Sequence, residues 1–223
     1  MSYKSYLKTI IASSALFISG SLLISAQAST NQSQILSQAN NLNPKVLSLA
    51  LTAYNNAQKQ GVSVKKHVLT VIDYSQPSKD QRMYVIDLDQ NKLLMNLRVA
   101  QGKGTGWMKA EHFSNVPQSK QTSLGLFETE NTYTGHNGLS LRIKGLDQGF
   151  NSNAESRAIV VHGAPYVSED FANKYNRVGN SFGCPAVDKK YSNQLINTIK
   201  GGSLIFSYYP DSNFLSHSQY LQA

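Results

Sequence analysis

The chain has 223 residues, 40% hydrophobic and 15% charged, with a net charge of +8 and one cysteine. That balance excludes a disulfide scaffold, a cysteine-rich zinc module and a long disordered polymer. The length suits one domain of about 100–200 residues with a sizeable core, plus an appendage.

The amino terminus reads as a secretory leader over residues 1–28. Lys4 and Lys8 precede an apolar run from Thr9 to Ile24, and Ala26-Gln27-Ala28 supplies a small-x-small cleavage site. The alternative, an uncleaved membrane anchor, is disfavoured because the run is short and serine-diluted against the ~20 apolar residues that span a bilayer. Cleavage after Ala28 leaves 19 Lys+Arg against 13 Asp+Glu, a charge of +6. An exported basic protein suits an acidic partner such as an anionic membrane surface or cell-wall carboxylates. A basic surface that serves only solubility is the bland alternative. Nucleic acid is the weaker candidate: Lys65-Lys66 and Lys189-Lys190 are the only basic doublets after the leader, and no basic stripe alternates with aromatics.

Residues 29–62 divide into a polar, Asn/Gln/Ser-rich lead-in, expected to be loosely ordered, and a helix. Asn43 can cap that helix, Pro44 suits its first position, and Val46, Leu47, Ala50, Leu51, Tyr54 and Ala57 trace one apolar face before Gly61. Residues 63–223 form the main domain. From His67 the period changes to two, predicting strands over 68–72 and 82–88, a turn at Asp89-Gln90-Asn91, and a hairpin partner over 92–100. Further strands are expected at 124–129, 140–145, 158–162 and 203–209. Asp188 can cap a helix carrying Tyr191, Leu195 and Ile199 on one face, ended by Gly201-Gly202. The fold class is therefore mainly β with a few helices, an α+β arrangement without the regular alternation of a doubly wound sheet.

Gly102-Lys103-Gly104-Thr105-Gly106 lacks the Gly-Lys-Ser/Thr ending of a phosphate-binding loop and has no helix after it, so a flexible loop beside a groove is expected, with Trp107 as a possible contact. The five histidines offer no metal-ligand spacing, so no metal is expected. Cys184 is the strongest single feature. A lone cysteine in an exported protein is either buried and inert or a reactive thiol. Ser181-Phe182-Gly183-Cys184-Pro185 favours the second, because Gly183 permits a tight backbone that presents amide N–H groups toward an oxyanion. A free thiol, with a pKa near ~8.5, needs an adjacent base or cation to act at neutral pH. His162, at the end of Ile159-Val160-Val161, is either a partly buried structural histidine or that base; the cysteine that follows favours the base.

The pairing of His162-Gly163 with Ser181-x-Gly183-Cys184 resembles the signature of the L,D-transpeptidases. It is more specifically similar to the murein L,D-transpeptidase catalytic domain family of YkuD type. The resemblance extends in order through Met83 to Leu88, Phe113-Ser114-Asn115, Ser123-Leu124-Gly125, Tyr133 to Gly138, Ser140-Leu141-Arg142, Arg157 to Ala164, and Gly183 to Val187, covering roughly Pro44 to Tyr209. It implies a β-sandwich-like catalytic domain behind a helical segment, and exported enzymes that cross-link peptidoglycan in the periplasm or cell envelope and are carbapenem targets. Cys184 would be the nucleophile, His162 its base, and the Gly163 carbonyl the group that orients the imidazole. His136, Arg177 and Ser181 would position the substrate, a peptidoglycan stem peptide. The chain departs from the wider family in having Phe182 where a histidine is common, Pro185-Ala186 where an asparagine or arginine follows, and Asn180 where the subgroup often has a basic residue. Those departures keep open a catalytically inactive wall-binding protein of the same fold, and water as the acyl acceptor would make the enzyme an L,D-carboxypeptidase only. A cysteine protease of another fold is disfavoured by the short His-to-Cys spacing.

Overall fold

A computed structural model describes residues 31–222, and the predicted leader, residues 1–28, lies outside the described residues. Residues 31–38 form helix α1, which leads into α2 (Pro44–Lys59). The Asn43 side chain caps α2 by accepting from Lys45 N at 2.9 Å, Pro44 takes the first turn, and Gly61 carries the chain away at φ +86°. Val46, Leu47, Ala50, Ala53, Tyr54 and Ala57 are buried along one stripe. The lead-in is not loose, since Ile35, Ala39 and Leu42 are also buried in the same core. Too few apolar residues occur there for a period to show, yet two of them, one helical turn apart, suffice to dock a short helix.

Eight strands follow: β1 (Val68–Asp73), β2 (Met83–Asp87), β3 (Lys92–Leu97), β4 (Gly125–Gly135), β5 (Gly138–Gly145), β6 (Val160–Ala164), β7 (Ala186–Asp188) and β8 (Leu204–Tyr208). Helix α3 (Glu169–Tyr175) lies between β6 and β7, α4 (Lys189–Ile199) between β7 and β8, and α5 (Ser212–His217) after β8. The strands form one sheet in the order β3-β2-β1-β8-β4-β5-β6-β7. Pairings β1–β8 and β6–β7 are parallel and the others antiparallel. The mainly β expectation with helices is met. The layering comes from a single continuous sheet with an apolar core on each face.

Alternation assigns those faces. Leu69, Val71, Tyr84, Ile86, Leu204 and Phe206 join the α2 residues in one core. Ile72, Met83, Val85 and Ile205 point the other way, into a core that reaches from Met95 and Leu97 on β3 to Val161 on β6 and includes Leu195, Ile196 and Ile199 of α4. Central strands covered on both faces read as near-continuous apolar runs, as β1 and β8 do apart from the buried Thr70, Asp73 and Ser207. A register shift between Thr129 and Thr132 interrupts β4, where an extra residue bends a strand. On α4 the buried positions are Ser192, Leu195, Ile196 and Ile199, so the stripe follows the 3–4 spacing and leaves Tyr191, expected inside, 37% exposed at its edge. Strand β7 has three residues, too few to show alternation, and α3 is announced only by the Ser168 cap and Glu169-Asp170 in its first turn. Among the described residues no helix is long and apolar enough to cross a membrane.

Ile35→Ala should cost about 2–5 kcal/mol of stability if α1 is part of the core. Urea denaturation checks this, and a variant as stable as its parent would show that the segment is not integral.

Candidate active site

His162 is positioned by strand pairing on both sides. In β6 it lies opposite Ser140 of β5 and, in the parallel register, opposite Ala186 of β7. The ring is buried, and its Nδ1 lies 3.1 Å from the Gly163 carbonyl oxygen. Burial lowers the imidazole pKa from 6.5, with the Gly163 carbonyl opposing. The ring is therefore neutral at neutral pH; with Nδ1–H donating to Gly163, the lone pair lies on Nε2. Gly163 has a second function, because a Cβ there would sit 2.7 Å from Ser192 Oγ. Only glycine lets α4 pack this tightly against β6.

Cys184 lies in a turn that closes on itself just before β7. Ser181 Oγ accepts from Gly183 N at 3.1 Å and donates to the Cys184 carbonyl at 2.7 Å. The same carbonyl accepts from Ala186 N at 3.0 Å. Gly183 adopts φ +126°, and a Cβ on it would meet Gln121 O at 2.9 Å. The cysteine is half-buried, with Sγ 3.8 Å from the Ala158 carbonyl. Burial pushes the thiol up from 9.0, opposed by the Val160 N–H, then by Arg157 and by the cysteine's own N–H. The resting thiol is therefore protonated at neutral pH.

A second set of contacts holds this turn from below. Arg82 is wholly buried and donates to Val99 O at 3.0 Å, Gln76 O at 2.9 Å and Gln101 Oε1 at 2.9 Å. Gln101 Nε2 donates in turn to the Gly106 and Lys109 carbonyls, each at 2.9 Å. The Gln101 carbonyl accepts from Ser181 N at 3.0 Å, and Lys103 N donates to Ser181 O at 2.7 Å. The glycine-rich loop is thus pinned rather than flexible. Its glycines answer to close approach: a Cβ would lie 2.4 Å from Lys120 O at Gly102, 2.6 Å from Ser119 O at Gly104, and 2.3 Å from Lys109 O at Gly106. Asn180 joins the same loop by donating to Gly106 O at 2.9 Å.

The other residues singled out by sequence fall at two places. Ser181 lies within the cysteine turn, its hydroxyl engaged by the turn itself. Arg177 stacks at the rim between Trp107, 4.7 Å from the ring centroid, and Phe171, at 5.9 Å, and donates to Val178 O. The stack ties α3 to the glycine-rich loop, so this guanidinium is held rather than merely solvated. His136 is exposed in the β4–β5 turn, beyond the Ser140–His162 pair. Phe182 projects outward, 69% exposed, with Lys120 Nζ 5.4 Å over its ring. Sequence reasoning gave no role to Arg82, Gln101 or Arg157. The available signal was a cation at the head of an apolar strand and a Gln immediately before a glycine cluster. Among the described residues no group of three or more His, Cys, Asp or Glu converges as a metal site requires.

Comparison with curated proteins finds no match. Among solved structures the chain is similar to an L,D-transpeptidase from Mycobacterium smegmatis, with 14% identity, 64% of this chain and 59% of the other covered, and a TM-score of 0.40. It is also similar to the helical cell shape determining protein Pgp2 from Campylobacter jejuni, with 10% identity, 74% and 57% covered, and a TM-score of 0.41. A third is an L,D-transpeptidase from Xylanimonas cellulosilytica, with 16% identity, 69% and 68% covered, and a TM-score of 0.36. The chain spans 59% of the length of the mycobacterial relative. The family comparison matches residues 38–208, from the end of α1 to the last residue of β8, and so takes in both the His162 strand and the Cys184 turn. On that match, which covers most of its length, the chain belongs to the L,D-transpeptidase catalytic domain family.

Proposed function

We propose that the chain is an exported, cysteine-dependent L,D-transpeptidase that acts on peptidoglycan stem peptides. The observation that carries this reading is the parallel β6–β7 register: His162 lies opposite Ala186, two residues beyond Cys184, with its Nδ1 committed to the Gly163 carbonyl. An oriented, neutral imidazole on β6 thus stands beside the turn that carries the chain's lone thiol into β7, which supports the reading.

In the resting site both groups are uncharged, so the base acts during attack rather than through a preformed ion pair. His162 Nε2 takes the thiol proton as Sγ bonds to the carbonyl carbon of the diamino acid at stem position three. The oxyanion that forms needs donors. Pro185 has no N–H, Ser181 N–H is committed to the Gln101 carbonyl and Gly183 N–H to Ser181 Oγ, which leaves the Phe182 and Cys184 N–H groups as the turn's donors. Collapse breaks the C–N bond, and the proton on His162 passes to the departing D-alanine amine. A thioester on Cys184 remains. An amine acceptor then attacks, giving its proton to His162, and Sγ leaves as the restored thiol. Water in place of the amine gives L,D-carboxypeptidase activity. No metal or organic cofactor enters these steps.

The rim supplies the recognition elements in this reading. Phe182 and Trp107 present exposed rings, and Lys120 and Arg177 lie over them, offering cations to the carboxylates of a stem. His136 stands on the hairpin at the end of β5. The predicted leader, residues 1–28, delivers the protein to the periplasm or cell envelope where this polymer lies.

Cys184→Ala should reduce muropeptide cross-linking and trimming to background while circular dichroism and melting temperature stay near the parent's. Turnover retained in the folded variant would remove the nucleophile assignment. In the parent the acid limb of the acylation rate should fall below pH 6.5, because burial depresses the imidazole, and the thiol should impose no alkaline limb until above pH 9. His162→Ala should slow acylation at neutral pH by about 10²–10⁴-fold, with the rate climbing as pH rises toward the thiol's own range. A pH-independent rate in that variant would exclude His162 as the base.

A further inference from the structure

Three segments that the catalytic pair does not explain, Phe113-Ser114-Asn115, Ser123-Leu124-Gly125 and Arg157-Ala158, meet at one side chain. The half-buried Arg157 guanidinium donates through Nη1 to Ser114 O at 2.7 Å and Ser123 Oγ at 2.5 Å, and through Nη2 to Gln121 O at 2.5 Å and Ser119 Oγ at 3.3 Å. All four acceptors are neutral. A cation held this way keeps its full charge for what lies beside it, and that is the cysteine turn. A Cβ on Gly183 would lie 3.3 Å from Arg157 Nη2, so the absence of a side chain there is what lets the guanidinium approach the backbone next to Cys184.

The backbone around Arg157 is shaped for the same end. Asn115 accepts from Asn153 N at 2.9 Å through Oδ1 and from Asn153 Nδ2 at 3.1 Å through its carbonyl, which anchors the loop entering Arg157. Ala158 then adopts φ +53°, a left-handed conformation that costs a residue with a Cβ about 1 kcal/mol or more. Its carbonyl is the group 3.8 Å from Cys184 Sγ. The strained residue therefore lies between the anchored guanidinium and β6, in contact with the sulfur.

We propose that Arg157 is a positioning residue for Cys184: its four neutral anchors seat the guanidinium against the Ser181–Cys184 turn, where it aligns the thiol with β6 and stabilises the thiolate over the thiol. This rests on the nucleophile role proposed for Cys184. It also supplies a cation where Asn180 and Phe182 do not. The charge relation is reciprocal, since burial depresses the guanidinium while Cys184 opposes that shift. The other titratable groups that sense the sulfur are Tyr74 and Tyr166, each pushed up to about 12 chiefly by burial and so uncharged across the working range. His162, on β6, is held neutral by burial.

Because Cys184 is the only cysteine, alkylation of the purified chain by iodoacetamide, followed by intact mass between pH 6 and pH 10, reads this one sulfur. Arg157→Gln should move the alkylation midpoint up by about one pH unit, roughly tenfold slower labelling at pH 7, and Arg157→Lys should recover most of that loss. An unmoved midpoint in a folded Arg157→Gln variant overturns the proposal. So does an Arg157→Lys variant that folds and shifts as far as the Gln variant. Should Arg157→Gln fail to fold, Ser119→Ala combined with Ser123→Ala loosens the guanidinium without removing it. That variant should shift the midpoint in the same direction by less, and no shift overturns the proposal. Alkylation needs no stem peptide, so its result stands apart from the transpeptidase reading, which fails on its own if Cys184→Ala retains turnover.

Discussion

The cysteine turn depends on a cation placed where cations are costly. Arg82 has no solvent exposure, and burial lowers its pKa to about 10, opposed by Tyr74, Asp73 and Asp80, so it stays charged at neutral pH. Its partners are two backbone carbonyls and the Gln101 side chain, with the Tyr74 ring 4.8 Å from the guanidinium carbon. Removing the guanidinium would leave several buried acceptors unsatisfied at once, each worth about 1–3 kcal/mol. Gln101 converts that anchor into geometry. Its side chain is held at one end by Arg82 and at the other by the carbonyls of Gly106 and Lys109, while its own carbonyl fixes Ser181, the first residue of the cysteine turn.

Above this anchor the fold relies on backbone contacts too close for side chains. Gly102, Gly104 and Gly106 let the loop lie against residues 109 and 119–122, Gly163 lets α4 reach β6, and Gly183 lets the turn meet Gln121 and Arg157. Each is a place where a methyl group would force backbone apart. The result is a thiol in a hydrogen-bonded turn at the head of β7 and an imidazole on the adjacent strand β6, each held by main-chain contacts.

Burial acts on the Cys184 thiol and the His162 imidazole in opposite directions. It raises the thiol and lowers the imidazole, so neither carries charge at rest. A protonated thiol is a poor target for oxidants. The groups that favour the thiolate locally are the Val160 N–H and Arg157.

Periodicity and punctuation were sufficient for much of the scaffold. Asn43-Pro44 and Gly61 bracket α2, short apolar runs mark β1, β2 and β8, and Asp188 marks α4, because capping and burial act over a few adjacent residues. The sequence also identified the lone Cys184 behind Gly183 and His162 at a strand end, since a thiol without a disulfide partner stands out by composition alone. Helix α1 was missed because its two apolar residues, Ile35 and Leu36, are too few to show a period, and β7 because it has only three residues. The glycine-rich loop was misread as flexible because one sequence cannot show which strand will press against it. Tertiary structure alone decided that Arg82, Gln101 and Ser181 form one chain of contacts, that Arg157 reaches the cysteine turn from a different loop, and that His162 pairs in register with Ala186. Those contacts join residues far apart in the chain, and they come into being only when the sheet closes and excludes water from the charges it encloses.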